Sequence, residues 1–191
     1  MPSTAIDSQI HGFLFGTDEM RNIFSDKSWV QKWLDTEAAL AKAQGELGII
    51  PKEKADIINA YAQADRIDIP SIGEYYKSSI TIVPLLKAFK AILPEGAGEY
   101  VHWGATSQDI VDTGIVLLQR DAYHVIVRDM KECQKAALAL AKKYRDTPMA
   151  GRTHVVHAIP ITFGYKCAVW ADELGRDITT PKGNQRTLLR R

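Results

Sequence analysis

The chain has 191 residues, of which 46% are hydrophobic and 25% are charged, as in an ordinary globular protein rather than a disordered one. Its formal net charge of +1 argues against a general electrostatic attraction to nucleic acid or to an anionic membrane. The first residues lack the basic and apolar regions of a secretory leader, and no run of about 18 apolar residues occurs in the sequence. We therefore expect a cytoplasmic protein that binds neither nucleic acid nor membrane.

The first 100 residues contain several short helical patterns and predict a small helical domain, residues 1–100. A residue that can cap a helix, or a proline, precedes most of these patterns, and Gly48 is expected to end the longest one. Trp29 and Trp33 lie on its apolar stripe and are expected in the core. Thr17 or Asp18 is expected to cap a helix that ends at Phe24, and Asp26 is expected to cap a longer one that ends at Leu47. Further helices are predicted from Pro51, weakly over 72–79, and over 84–93.

A single apolar stripe runs through residues 108–146, where steps of three and four residues predict one α-helix. At about 1.5 Å per residue this helix would be roughly 58 Å long, which a compact domain of this size cannot cover. The stripe therefore predicts the start of an extended helical bundle, residues 101–191, whose other helices cover it. Gly114 is expected to weaken the helix by about 1 kcal/mol relative to alanine. Cys133 lies on this stripe.

After the long helix, residues 147–151 predict a turn and residues 152–160 a loop or short extended segment. Pro160 is expected to begin another helix, on whose apolar face lie Cys167 and Trp170. Both cysteines are expected to be small buried side chains, because no CxxC pair or Cys/His cluster indicates a disulfide or a metal. Strand signals are too short for a sheet, so the predicted fold class is all-α.

Two loops concentrate polar groups next to these helices. The first, residues 102–109, puts hydroxyls and free backbone N–H groups at a helix N-terminus, where a carboxylate or phosphate is favoured. The alternative is that Thr106 or Ser107 only caps the helix, and that His102 is an ordinary loop histidine.

The second loop holds Arg152, Thr153, His154 and His157. Histidine is suited to proton transfer near neutral pH, and the adjacent Arg152 and Thr153 could orient an anionic substrate. A plain hydrogen-bonded role is the alternative for each histidine. Metal binding by the two histidines is disfavoured, since no further ligand follows nearby. We expect neither a metal nor a cofactor.

The two loops carry sequences that resemble known signatures. VHWGATSQDIVDT (101–113) and GRTHVVHAIPITFG (151–164) resemble the first two signature regions of the fumarase/aspartase superfamily, in the branch of adenylosuccinate lyase and 3-carboxy-cis,cis-muconate cycloisomerase. The resemblance runs from about residue 23 to about residue 177 and includes LDTEAALA (34–41).

This resemblance implies an all-α homotetramer with a bundle of long helices and active sites built from three subunits. It also implies a β-elimination in which a base removes a proton and an acid protonates the departing nitrogen or oxygen as fumarate forms. By motif, His154 is the acid and His102 orients or binds a small dicarboxylate substrate, with His157 in a supporting role. Substrate binding is assigned to Thr106, Ser107, Gln108, Arg152 and Thr153.

The chain departs from the superfamily pattern in two ways. The third signature, a Ser-Ser-x-Met-Pro loop with the serine base, does not occur in the 191 residues, so we expect this chain alone to be inactive. The stretch 77–84 lacks the histidine of typical adenylosuccinate lyases and in this respect is more similar to the cycloisomerase. His154, in contrast, favours a lyase. A lyase acting on a related dicarboxylate fits both features. A non-catalytic helical assembly module is the alternative from another class.

Overall fold

A computed structural model describes residues 4–6, 8–75 and 82–179. It confirms the predicted all-α class, because helices account for most of the described residues and strands form one small sheet. Short 3-10 helices cover Gly12–Phe15, Ala64–Arg66 and Ala97–Tyr100. The α-helices are α1 (Asp18–Ile23), α2 (Asp26–Glu46), α3 (Lys52–Tyr61), α4 (Ile69–Tyr75), α5 (Val83–Ile92), α6 (Ser107–Lys143) and α7 (Phe163–Thr179), and the strands are β1 (Pro148–Arg152) and β2 (His157–Thr162).

The chain divides into two compact units, Met1–Asp121 and Ala122–Arg191, and the division falls within α6. The predicted domain boundary at residue 100 stays a prediction. None of the helices in the described residues combines the length and the apolar character that a membrane span requires.

Helix α2 is the central element of the first unit, and side chains define both its ends. The Ser25 hydroxyl accepts a hydrogen bond from the Ser28 N–H at 3.3 Å, so Ser25 is the N-cap rather than the predicted Asp26. Gly48 follows the helix at φ +70°, and the Ile49 N–H reaches the Gln44 carbonyl at 2.9 Å. This is a Schellman ending, and it confirms the prediction for Gly48.

The core of the first unit forms where α2 packs with α3, α5 and the start of α6. The buried side chains include Leu34 from α2, Ile58 from α3, Phe89 from α5 and Ile110 from α6. Helix α4 begins three residues before the weak helix predicted over 72–79, and the end of that prediction lies outside the described residues.

The packing of Trp33 on Gly114 corrects the prediction that this glycine is only a weakness. Trp33 is buried as predicted, and Trp29 is partly buried against the same core. A Cβ atom on residue 114 would lie 2.6 Å from Cδ1 of Trp33, closer than side chains tolerate. Gly114 therefore allows α2 and α6 to approach each other.

The second unit contains a β-hairpin, which the sequence analysis did not predict. Strands β1 and β2 pair antiparallel, with Pro148 opposite Thr162 and Ala150 opposite Pro160. The predicted turn at 147–151 and the absence of a sheet are therefore wrong. Residues 147–151 become extended because the second strand supplies hydrogen-bond partners at long range, which local turn preferences do not reveal.

Helix α7 begins at Phe163 rather than at Pro160. The Thr162 hydroxyl accepts a hydrogen bond from the Tyr165 N–H at 3.1 Å and so caps the helix. Cys167 is buried as predicted, whereas Cys133 is exposed on α6 and Trp170 is 45% exposed beside Lys166. The predictions of buried Cys133 and core Trp170 are wrong for this chain, since no described helix of the second unit covers them.

We expect Gly114→Ala to lower the free energy of unfolding by about 1 to 3 kcal/mol, because the new methyl group overlaps the Trp33 ring. Chemical denaturation measures the change. The matched control is Gly73→Ala in α4, where a Cβ meets no atom within 4 Å. That variant should be as stable as the wild type or up to about 1 kcal/mol more stable. Equal stability of the two variants would contradict the packing argument.

Candidate functional site

The first loop leads directly into α6, and two hydrogen bonds between Thr106 and Asp109 fix it at the helix start. The Thr106 N–H donates to Oδ2 of Asp109 at 3.0 Å, and the Asp109 N–H donates to the Thr106 carbonyl at 3.1 Å. Thr106 thus occupies the position before the first helical residue, Ser107, and the exchange with Asp109 resembles one half of a capping box. The alternative that Thr106 is the N-cap residue is therefore correct for its position, although its hydroxyl does not cap the helix.

The hydroxyls of the first loop make no hydrogen bond to any residue that the structure describes. Thr106 and Gln108 are exposed and Ser107 is half-buried. The Gln108 amide donates to Oδ1 of Asp112 at 2.6 Å, which keeps it on the exposed side of the first turn. Four of the predicted site residues, His102, Thr106, Ser107 and Gln108, therefore lie together at the N-terminus of a 37-residue helix. Such a position favours an anion.

Glu37 is the residue near this loop to which the sequence analysis gave no role. Its Oε1 lies 2.6 Å from Nδ1 of His102, and only 1% of the residue is exposed. Burial raises the pKa of the Glu37 carboxyl above its ordinary value of 4.5, while the hydrogen bond with His102 and the charge of Lys90 act in the opposite direction. The sequence contained one signal that could have identified Glu37. Its carboxylate lies on the apolar stripe of α2, four residues after Trp33.

A second side chain of α2 holds the same loop. The Gln44 amide donates to the Trp103 carbonyl at 2.8 Å, so Glu37 and Gln44, two helical turns apart, contact consecutive loop residues. His102 adopts the left-handed conformation at φ +65°, which is uncommon for a residue with a side chain. Helix α2 therefore determines the conformation of this loop.

The second group of site residues lies at the end of the β-hairpin in the second unit. Arg152, the last residue of β1, pairs with His157, the first residue of β2. Between them, the backbone N–H and the hydroxyl of Thr153 both donate to the Val156 carbonyl, at 3.0 and 2.9 Å. The structure thus brings Arg152, Thr153, His154 and His157 together in one short connection.

His154 is exposed at this tip and makes no hydrogen bond with the residues that the structure describes. The next residue, Val155, is 88% exposed and has φ +71°. A β-branched residue in this conformation is strained, and such strain is often found at functional sites. An exposed imidazole on a hydrogen-bonded tip can exchange protons with a bound molecule.

The chain is similar in sequence to a known protein family and to several enzymes. Residues 13–189 match a family described as Lyase. The chain is 46% identical over 179 residues to an N-acetyl-S-(2-succino)cysteine lyase of Enterococcus italicus, and this match covers 93% of this chain and 39% of that protein. It is 45% identical to an adenylosuccinate lyase of Methanothermobacter thermautotrophicus, covering 87% of this chain and 37% of that protein.

Solved structures give the same result. The fold matches a 3-carboxy-cis,cis-muconate lactonizing enzyme of Pseudomonas putida with a TM-score of 0.90 and 37% identity, over 95% of this chain and 42% of that one. A fumarate lyase from Mesorhizobium matches with a TM-score of 0.84 and 42% identity, over 91% of this chain and 41% of that one. The chain spans about two fifths of the length of these relatives. From its family match and its helical fold, this chain belongs to the fumarate lyase superfamily.

Proposed function

We propose that these residues serve a β-elimination lyase that releases fumarate from a succinyl-substituted substrate. The observation that carries the proposal is His154, exposed on its hydrogen-bonded hairpin tip in a chain 46% identical to a lyase of a succinyl thioether. In the overall reaction the C–N or C–S bond to the succinyl group breaks, the adjacent carbon loses a proton, and the leaving atom gains one.

The residues have separate roles in this proposal. His154 is the general acid that protonates the leaving atom, and Arg152 and Thr153 contact the substrate beside it. Thr106, Ser107 and Gln108 bind a substrate carboxylate, for which the helix N-terminus supplies N–H donors and a favourable dipole. His102 binds or orients the substrate from the same loop. The carboxylate of the intermediate becomes more negative during the reaction, so fixed donors would stabilise it.

A C–S or C–N lyase and a cycloisomerase are the two candidate activities. The identity to the succinocysteine lyase favours the first, as does the exposed His154, a residue type suited to protonating a leaving group. The cycloisomerase alternative is supported by 39% identity to a 3-carboxy-cis,cis-muconate cycloisomerase of Acinetobacter baylyi, which covers 90% of this chain and 39% of that protein. Both activities use a small carboxylate substrate, so the first loop would bind a carboxylate in either case. They differ in the role of His154, which protonates a leaving nitrogen or sulfur only in the lyase.

Homotetramer formation and full catalysis belong to the proposal as well. Apolar side chains remain exposed along the long helix and on α7, and we propose that helices of a bundle cover them: Ile126, Leu138, Leu140, Val169 and Trp170. The reaction also needs a base, which the superfamily supplies from its third signature region. A non-catalytic assembly module is the competing hypothesis, and it predicts folding and association without any response to a dicarboxylate.

Fumarate is expected to raise the thermal midpoint of this chain, because a ligand that binds only the folded state stabilises it. A ligand at 100 times its Kd contributes about 2.7 kcal/mol, which corresponds to roughly 5 to 10 °C for a chain of this length. Ser107→Ala should reduce the shift, and Gln119→Ala, an exposed residue on the same helix, should not. Acetate at matched ionic strength is the ligand control. No shift with fumarate would favour the assembly module.

Catalysis is tested in a chimera in which residues 13–179 replace the matching segment of the Enterococcus italicus lyase. The chimera should release fumarate from N-acetyl-S-(2-succino)cysteine, followed by ultraviolet absorbance. We expect His154→Ala to lower kcat by about 10² to 10⁴ with a smaller change in KM, since general acid catalysis acts in the transition state. The control is His124→Ala, an exposed histidine on α6. Unchanged turnover in His154→Ala would remove that residue from the chemistry, and turnover of 3-carboxy-cis,cis-muconate instead would favour the cycloisomerase.

A further inference from the structure

We infer that Glu37 is a positioning residue that holds the His102 imidazole in a single tautomer, with the proton on Nδ1 and with Nε2 left for a ligand. The inference about the tautomer stands on the contact between the two side chains. The identity of the ligand as a substrate carboxylate rests on the proposed function.

The contact has the geometry of a strong, charge-assisted hydrogen bond. Oε1 of Glu37 and Nδ1 of His102 are 2.6 Å apart, and 86% of the His102 side chain is covered (14% exposed). Nε2 makes no hydrogen bond with any described residue. When a carboxylate accepts the Nδ1–H, the lone pair of a neutral imidazole lies on Nε2, and a proton taken up there turns Nε2 into a donor.

The position of Glu37 is costly for a residue whose only task is stability. It lies on the buried face of α2 with Leu34 and Ala41, where removing an ionised carboxylate from water is unfavourable. Beyond His102, Lys90 is the charged group that acts on it. Apolar residues of similar volume often replace buried ion pairs without loss of stability. A buried carboxylate bonded to one nitrogen of a histidine is, in contrast, a common way to fix which nitrogen carries the proton.

The anchoring of the loop by Gln44 provides a matched comparison. Gln44 belongs to the same helix and holds the same loop, but its bond goes to the Trp103 carbonyl and leaves the imidazole untouched. Gln44→Ala therefore removes an anchor of the loop without removing the partner of Nδ1. A purely structural role for Glu37 predicts the same consequences for Glu37→Gln and Gln44→Ala.

The test is long-range ¹H–¹⁵N correlation NMR of the 191-residue chain with ¹⁵N-labelled histidine, which reports the tautomer of each ring. In the wild type, His102 should carry its proton on Nδ1 at a pH where the ring is neutral. In Glu37→Gln the amide can donate as well as accept, so the Nδ1–H population should fall several-fold, whereas Gln44→Ala should keep it. A wild-type His102 protonated on Nε2, or an unchanged tautomer in Glu37→Gln, would overturn the inference.

Addition of fumarate to the same samples separates this inference from the proposed function. We expect fumarate to shift the His102 Nε2 signal in the wild type, with at least a tenfold weaker Kd in Glu37→Gln than in Gln44→Ala. A fixed wild-type tautomer that is lost in Glu37→Gln, with no effect of fumarate, would support the positioning role and contradict the assignment of His102 to the substrate.

The pH dependence of stability tests the burial of Glu37 separately from the tautomer. Glu37 keeps its proton to a higher pH in the folded chain than in the unfolded chain, because its pKa is raised above 4.5. The free energy of unfolding of the wild type, relative to Glu37→Gln, should therefore fall as the pH rises from 4.5 through the folded-state pKa, and should level off below 4.5. Urea titrations at a series of pH values, starting below 4.5, measure this difference. A difference that rises with pH would contradict the raised pKa of Glu37.

Discussion

The close approach of α2 to the start of α6 is the constraint on which the first unit depends. Trp33 lies against Gly114, which lacks a Cβ, and this brings the buried face of α2 beside the loop that precedes α6. From that face Glu37 reaches the ring of His102 and Gln44 reaches the carbonyl of Trp103. One helix therefore packs the core and also sets the conformation of a loop that is suited to binding an anion.

In the second unit, a β-hairpin rather than a helix fixes the conformation of a loop. A tight hairpin, closed by the two hydrogen bonds from Thr153 to the Val156 carbonyl, exposes His154 on a short connection. The neighbouring Val155 has a backbone conformation that is unfavourable for a β-branched residue. Exposed loops are commonly held in one conformation by the regular elements that flank them.

The sequence predicts the helices well and the packing less well. The apolar periodicity of α6 and the glycine after α2 are local signals, so both features were predictable, and the two signature motifs identified the candidate residues. The hairpin was missed because the pairing of Ala150 with Pro160 joins a segment predicted as a turn to one predicted as a loop or short extended segment. The roles of Gly114 and Glu37 depend on which helices meet, a property that a pattern along one helix does not contain.

The central claim is that the loop before α6 binds a dicarboxylate in the conformation that α2 imposes. Backbone ¹H–¹⁵N NMR during a fumarate titration locates binding residue by residue in this chain. The largest saturable shifts are expected at the amides of residues 102–108. Saturable shifts confined to other parts of the chain, with residues 102–108 unaffected, would contradict the claim.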